Sequence, residues 1–136
     1  MLFRSLNGEF YDTAFNEEEK GRIALTEVEN ADNPRYGTEG GEDTEDRIFL
    51  LSLEEAEMYF EDDEDRRAFP TEYAVAKGIW VWEKTGTVWW WLRSPGYDSG
   101  GSAAGVDPDG SLNYIGTYVY YSRYAVRPAL RLKMTP

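Results

Sequence analysis

The residue types best suited to molecular recognition lie in the last third of the chain. Residues 97–125 contain six of the ten tyrosines, set mostly among Ser, Gly, Asp, Asn, Thr and small apolar residues, and contain no Lys, Glu, Gln, Met or Trp. Tyrosine provides a wide, stiff contact surface with a polar end, while Ser, Gly and Asn adapt their hydrogen bonds, as in antibody binding surfaces. This composition predicts binding.

Catalysis has little support in the sequence. The chain has no cysteine and no histidine, which excludes Cys nucleophiles, Ser-His-Asp relays and His or Cys metal sites. Its 26 acidic residues are so many that a glycosidase-like carboxylate pair can be chosen anywhere. We therefore expect a protein that is not an enzyme, with no catalytic residue, no metal site and no cofactor.

Four tyrosines, Tyr118, Tyr120, Tyr121 and Tyr124, cluster around Arg123. Exposed aromatic residues grouped with an arginine are typical of the energetic centres of interfaces. A plain β-meander is the alternative, because Tyr favours strands while Gly, Asn, Asp and Ser favour turns. We favour the binding surface, and expect Tyr118, Tyr121 and Tyr124 to be replaceable together by Ala without a large loss of thermal stability.

Two further motifs have structural interpretations. Asp107-Pro108-Asp109-Gly110 matches part of a calcium loop, but Tyr118 stands where that loop has its final Glu; Asp-Gly between strands favours a hairpin turn. In Trp89-Trp90-Trp91 at least one indole points to each side of a strand. One side is expected to pack in the core; contact with a ligand is the alternative for the other side, and core packing is the favoured use. Beside prolines, Arg93 and Arg127 are expected to brace loop carbonyls or a carboxylate.

The net charge of −12 argues against several partners. It repels phosphate backbones and anionic lipid, so neither nucleic acid nor a membrane surface is an expected partner. The sequence shows no signal-peptide core and no apolar stretch long enough for a membrane span. The location of the protein is left open, with surface display and secretion among the alternatives. A length of 136 residues fits one domain.

Short elements are predicted to position these residues. Apolar spacing and capping residues predict helices over 6–15, after Asn16, over 53–60 after Ser52, over 62–67 and over 72–77 after Thr71. Apolar and alternating patterns predict strands over 23–29, 47–51, 79–82 and 88–93, and a β-rich last third. The polar segment 30–46 is predicted to be a surface loop outside the core. Early helices and late strands indicate an α+β fold.

Several motifs resemble a bacterial domain family of unknown function that is allied to the C-type-lectin-like fold of formylglycine-generating-enzyme type. The motifs span nearly the whole chain: 6–15, 18–20, 49–52, 90–96, 109–110 and 126–130. Relatives have strands before the first motif, so the resemblance implies a sheet that is incomplete, minimal or completed by another subunit. The cysteines of the oxidase and the sugar motifs of calcium-dependent lectins are missing, so neither activity is implied.

The group that this chain resembles includes variable proteins of diversity-generating retroelements. In these elements a template RNA is copied with errors at adenines, so AAC codons for asparagine become NNC, where N is any base. NNC cannot encode the five residue types missing from 97–125. The resemblance implies that variable side chains face a partner, and these are Tyr97, Asp98, Ser99, Ser102, Asn113, Tyr114, Thr117, Tyr118, Tyr120, Tyr121, Ser122, Arg123 and Tyr124. We expect a ligand-binding module for a protein or cell-surface structure. The alternatives are a calcium-independent carbohydrate-binding module and a domain with no variable function.

Overall fold

The computed structural model describes residues 5–98 and 100–134 of the chain. These residues form short helices and two antiparallel sheets: π-helical turns Leu6–Phe10, α1 Tyr11–Ala14, α2 Glu17–Arg22, β1 Thr26–Val28, β2 Thr44–Asp46, α3 Leu53–Met58, a 3₁₀ turn Glu64–Arg66, α4 Glu72–Ala76, β3 Trp90–Pro95, β4 Ser102–Val106 and β5 Leu112–Tyr118. The α+β class is confirmed. Among these residues, no helix has the length and apolar character needed to cross a bilayer.

The predicted capping residues start three of the helices. The Asn16 side chain accepts from the Glu19 amide, and the Glu19 carboxylate accepts from the Asn16 amide, both at 2.8 Å. Ser52 and Glu55 form the same reciprocal pair at α3, and Thr71 caps α4. These bonds satisfy amides that the first helical turn leaves without partners, so the local sequence is sufficient to position each start.

β3, β4 and β5 form one antiparallel sheet with β4 in the middle. The Asp-Gly pair turns the chain from β4 to β5, with the Gly110 amide donating to the Asp107 carbonyl oxygen at 2.8 Å. Gly110 has a φ of 92°, and a Cβ there would lie 1.6 Å from the carbonyl oxygen of Asp63. Only glycine fits both conditions, and the hairpin prediction is confirmed.

All three tryptophans of 89–91 are buried, with exposed fractions of 5, 0 and 7%. Trp90 packs with Leu53 on one side of β3, whereas Trp89 and Trp91 pack with Ile48 on the other. Core packing, the favoured use of these tryptophans, is confirmed, because Leu6 and Ile48 cover the side for which contact with a ligand was the alternative.

The strand predicted over 47–51 is wrong. The amides of Arg47 and Ile48 donate to the side-chain oxygen of Asn7 at 2.7 and 3.0 Å, so they do not join a ladder. Phe49 forms only an isolated bridge, with Ala129. The side chain of Asn7 thus accepts the hydrogen bonds that these amides would otherwise donate to a neighbouring strand.

The strand predicted over 79–82 is not formed either. Trp82 makes an isolated bridge with Thr87, and the amide of Trp80 donates to the carbonyl oxygen of Arg123 at 2.9 Å. The segment is therefore attached by a backbone hydrogen bond and an isolated bridge, and has no place in the sheet.

The polar segment 30–46 is a surface loop only in part, because residues 44–46 form β2 and Asn33 is buried. The Asn33 amide nitrogen donates to the carbonyl oxygens of Pro95 and Tyr114, at 2.9 and 2.8 Å. The expectation that this segment lies outside the core is wrong here, because a polar side chain with enough partners is readily buried.

Arg93 has the predicted bracing role. Its guanidinium donates to the carbonyl oxygens of Glu29 and Leu50 and pairs with the carboxylate of Glu55. The two charged side chains are 5% and 15% exposed. Arg127 lies over the ring of Trp90, 4.9 Å from its centroid, and burial lowers the Arg127 pKa.

The pairing with Arg93 makes Glu55 a source of acid sensitivity. Burial is the largest influence and raises its pKa, but the Arg93 hydrogen bond, the Ser52 amide and the Arg93 charge together outweigh burial and lower the pKa. A carboxyl with a lowered folded pKa stabilises the fold above its unfolded pKa, and this contribution is lost as the pH falls through the folded value.

As the pH is lowered through this acidic range, the free energy of unfolding of the wild type should fall. That of the Glu55→Gln variant should fall less, because glutamine does not titrate. Urea unfolding at a series of pH values measures the difference. The neighbouring exposed Glu54→Gln is the control and should follow the wild type. Equal acid sensitivity in Glu55→Gln and the wild type would contradict the expectation.

Candidate functional site

The segment 119–125 connects the end of β5 with β3. At its start, the Val119 amide donates to the carbonyl oxygen of Gly101 at 2.8 Å. At its end, Ala125 forms a parallel bridge with Trp90. Because both ends are hydrogen-bonded to the sheet, the tyrosines between them occupy defined positions next to β3.

Tyr118, Tyr120, Tyr121 and Tyr124 form a continuous set of stacked rings, called the tyrosine stack below. Successive ring centroids are 5.3, 6.0 and 5.6 Å apart, with interplanar angles of 7°, 13° and 26°. Offset stacking of this kind is favourable for aromatic rings. It also restricts each ring's rotation, so the stack presents an ordered surface.

The stack extends from the core into solvent. The Tyr124 ring packs on Trp89 and Trp91, at centroid distances of 4.5 and 5.8 Å. The other three rings are 46–76% exposed, and Tyr120 is the most exposed of them. Tyr124 therefore anchors the stack, and its outer members present aromatic surface to solvent.

A groove of about 700 Å³ lies against the stack. Its lining is mostly apolar and contains no carboxylate side chain: Gly40, Leu50, Trp91, Leu92, Arg93, Pro95, Ser102, Ala103, Val119, Tyr121, Ser122, Tyr124 and Val126. The groove has room for a large apolar side chain, and the phenol groups beside it provide hydrogen bonds.

The two ends of the stack should differ in their effect on stability. Tyr124→Ala is expected to lower the free energy of unfolding by about 2 kcal/mol, because it removes ring contacts with two buried tryptophans. Tyr120→Ala should change it by less than about 0.5 kcal/mol, since that ring is largely exposed. Urea unfolding of both variants measures this, and equal losses would contradict the assigned packing.

Tyr97 and Tyr114 lie apart from the stack. The Tyr97 ring meets Tyr36 edge to face at 6.1 Å, and the guanidinium carbon of Arg35 lies 3.9 Å above the Tyr114 ring. Tyr97 is exposed and Tyr114 is half-buried. These two predicted residues therefore form a second aromatic group with the 35–36 segment.

Three predicted residues use their side chains to fix turns. The buried Ser102 hydroxyl donates to the carbonyl oxygen of Asp98 at 2.9 Å, and the Asp98 carboxylate accepts from the Gly100 amide at 2.8 Å. The Asn113 amide group donates to the Asp107 carboxylate at 3.0 Å. Their polar groups are engaged within the sheet and its turns.

The remaining predicted residues are close to the stack in sequence. Thr117 is half-buried on β5, while Ser122 and Arg123 are exposed in the turn between Tyr121 and Tyr124. Ser99 lies outside the described residues. The structure thus brings together the residues between 117 and 124 with Ser102, which pairs with Tyr118 and lines the same groove. The side chains of Tyr97 and Tyr114 form the separate group with the 35–36 segment.

Sequence reasoning missed the groove, because its walls come from distant segments. Leu50, Gly40 and Val126 have no common pattern, and only the tertiary structure brings them beside Val119. The one local signal was the presence of exposed valines among the tyrosines, since Val119 and Val126 are 58% and 41% exposed.

The described residues show no group of three or more His, Cys, Asp or Glu positioned to hold a metal ion. The turn carboxylate of Asp109 instead accepts from the Ser111 hydroxyl at 2.7 Å and from the Ser111 amide at 2.9 Å, and these bonds lower the Asp109 pKa. The carboxylate therefore serves the hairpin.

No curated protein and no solved structure matches this chain. The model of a family described as Domain of unknown function (DUF6273) matches residues 1–134, which confirms the expectation of a domain family of unknown function. The chain therefore belongs to the DUF6273 family.

Proposed function

We propose that this protein is a ligand-binding module, built as one C-type-lectin-like domain, that binds a protein ligand through the tyrosine stack and the adjoining groove. One observation carries the proposal: the tyrosine stack, whose three outer residues are 46–76% exposed, reaches a mostly apolar groove of about 700 Å³ that Tyr121 and Tyr124 line. Aromatic side chains next to an apolar pocket are the usual anchors of protein interfaces.

The order of the stack supports high affinity. A flexible side chain loses about 0.5–1.5 kcal/mol of rotational freedom when a partner immobilises it. The tyrosines are already restricted by one another and by Tyr124, which packs on Trp89. Less free energy is therefore lost when the partner binds.

The groove favours a protein side chain over a sugar. Sugar hydroxyls lose water on burial and need polar partners in return. The polar groups that line the groove are few, and Ser102 and Arg93 are already bonded to Asp98 and Glu55. A carbohydrate-binding module is the second candidate, favoured by the large exposed face of Tyr120.

The stack also suits a surface that varies in sequence, as in retroelement variable proteins. Tyr118, Tyr120 and Tyr121 are exposed, so exchanging them leaves the core intact. Tyr124 and Ser102 are packed or hydrogen-bonded, so they belong to the frame. We infer that variation in this protein is concentrated on the outer members of the stack.

Peptide selection tests the proposed site. A naive library of phage-displayed dodecapeptides is panned on the wild-type protein, and enriched peptides are titrated by fluorescence polarisation. The triple variant Tyr118→Ala/Tyr120→Ala/Tyr121→Ala should bind them at least about a hundredfold more weakly, since a single anchoring aromatic contributes roughly 2 kcal/mol or more, the contributions are not additive, and about 1.4 kcal/mol is tenfold. The triple variant should unfold at nearly the wild-type temperature.

Tyr59→Ala is the matched control, because Tyr59 and Tyr121 are both 49% exposed and line different grooves. It should bind the peptides as the wild type does. Peptides that bind the triple variant and the wild type equally would refute the site. Failure to enrich any peptide, together with glycan-array binding that the triple variant loses, would favour the carbohydrate-binding module.

A further inference from the structure

One wall of the groove comes from an acidic segment of the chain. Gly40 forms part of the groove wall, and the exposed residues Glu39 and Glu42 flank it in the chain. The surrounding segment, 38–46, contains five acidic residues and no Lys or Arg. The part of the groove wall that Gly40 forms therefore belongs to an acidic, exposed segment of the chain.

The backbone that holds these glutamates is tightly packed. A Cβ at Gly40 would lie 2.2 Å from the carbonyl oxygen of Asn30 and 2.4 Å from that of Ala31. The Gly40 amide donates to the Asp32 carboxylate at 3.0 Å, and the Asn30 side chain donates to the Glu42 carbonyl oxygen at 2.8 Å. The backbone of this acidic segment thus has a defined position. Neither Glu39 nor Glu42 forms an ion pair among the described residues.

Among the described residues that line the groove, Arg93 is the only basic one. Arg93 lines the groove, but its guanidinium is paired with Glu55 and its side chain is 5% exposed. Between residues 97 and 126, Arg123 is the only basic residue. With a net charge of −12, the protein attracts cations to this surface. Exposed phenol rings attract Lys and Arg as well.

Building on the proposed function, we propose that the ligand is a basic polypeptide segment. An apolar or aromatic side chain of this segment enters the groove, and flanking Lys or Arg residues face Glu39, Glu42 and the outer rings of the tyrosine stack. A second copy of this chain is a poorer occupant, because it brings the same net charge of −12.

The selected dodecapeptides test the charge requirement. Lys and Arg should be enriched over the unselected library beside an aromatic or aliphatic residue. The double variant Glu39→Lys/Glu42→Lys should bind these peptides roughly tenfold more weakly at low ionic strength. The difference should shrink at high ionic strength, because salt screens exposed charges.

Glu61→Lys/Glu64→Lys is the matched control, since it changes the net charge equally at exposed glutamates of a separate groove. It should weaken binding by less than about twofold. Thermal unfolding should show that both double variants are folded.

The outcomes separate this inference from the proposed function. Peptides that need the tyrosine stack but show no excess of Lys or Arg overturn the basic ligand and leave the binding site in place. Equal losses of peptide affinity in the two double variants would also overturn the basic ligand and leave the binding site in place. Peptides that ignore the stack, or no enriched peptide at all, overturn the basic ligand together with the proposed protein-binding site.

Discussion

Replacing Arg93 by methionine is expected to lower the free energy of unfolding by about 3–5 kcal/mol. The change removes the ion-pair partner of Glu55, whose side chain is only 15% exposed. It also removes the donor to the carbonyl oxygens of Glu29 and Leu50, at 2.9 and 2.8 Å. Methionine fills much of the same volume, so the loss reports the missing charge and hydrogen bonds.

Urea unfolding measures this loss, and Arg123→Met is the control. Arg123 is exposed in the turn of the tyrosine stack, so its replacement should change stability by less than about 0.5 kcal/mol. Adding Glu55→Gln to Arg93→Met should recover part of the loss, because the buried carboxylate is then absent. Equal stability of the Arg93→Met and Arg123→Met variants would show that Arg93 does not brace the fold.

Asn33→Asp is expected to lower the free energy of unfolding by about 3 kcal/mol, although the two side chains have nearly the same shape. The amide nitrogen of Asn33 donates to two carbonyl oxygens, those of Pro95 and Tyr114. An aspartate carboxylate places a negatively charged oxygen next to these two carbonyl oxygens and has no N–H group to donate to them. Since the side chain is 2% exposed, water cannot compensate.

The pH dependence provides a specific test of this explanation. A protonated carboxyl group regains one donor, so the loss caused by Asn33→Asp should become smaller as the pH falls. Asn30→Asp is the control; it breaks one exposed bond, to the carbonyl oxygen of Glu42, and should cost about 1 kcal/mol or less. A loss of unfolding free energy that does not depend on pH would contradict the proposed repulsion between the carboxylate and the two carbonyl oxygens.

Features that depend on neighbours in the chain were predictable from the sequence. The caps at Asn16, Ser52 and Thr71 each need a partner within three residues, and all are present. The hairpin at Asp109-Gly110 likewise depends on the left-handed φ that glycine adopts without strain. The tyrosine-rich segment was recognisable from composition because its outer rings are exposed and do not serve the core.

Features that depend on distant partners were not predictable. The apolar segment 47–51 has the pattern of a strand, but Asn7 takes the amides that a strand would use. The second face of Trp89-Trp90-Trp91 is covered because Leu6 and Ile48 pack on it. In each case the deciding contact joins residues about 40 positions or more apart, and no local pattern encodes it.

The same distinction applies within the predicted site. The sequence identified Tyr118, Tyr120 and Tyr121 as surface residues, but it also grouped Tyr124 with them as freely replaceable. The packing of Tyr124 on two buried tryptophans shows that it supports the stack, so the triple substitution that tests binding has to spare it.

By itself, the sequence determined the α+β class, the helix starts, the β4–β5 hairpin and the presence of a tyrosine-rich surface, because each follows from residue type and near neighbours. Only the tertiary structure decided which tyrosine is an anchor, where the groove lies and that Gly40, from an acidic segment, forms part of its wall. Those features arise from side chains far apart in the chain, whose contacts form only when the whole domain has folded.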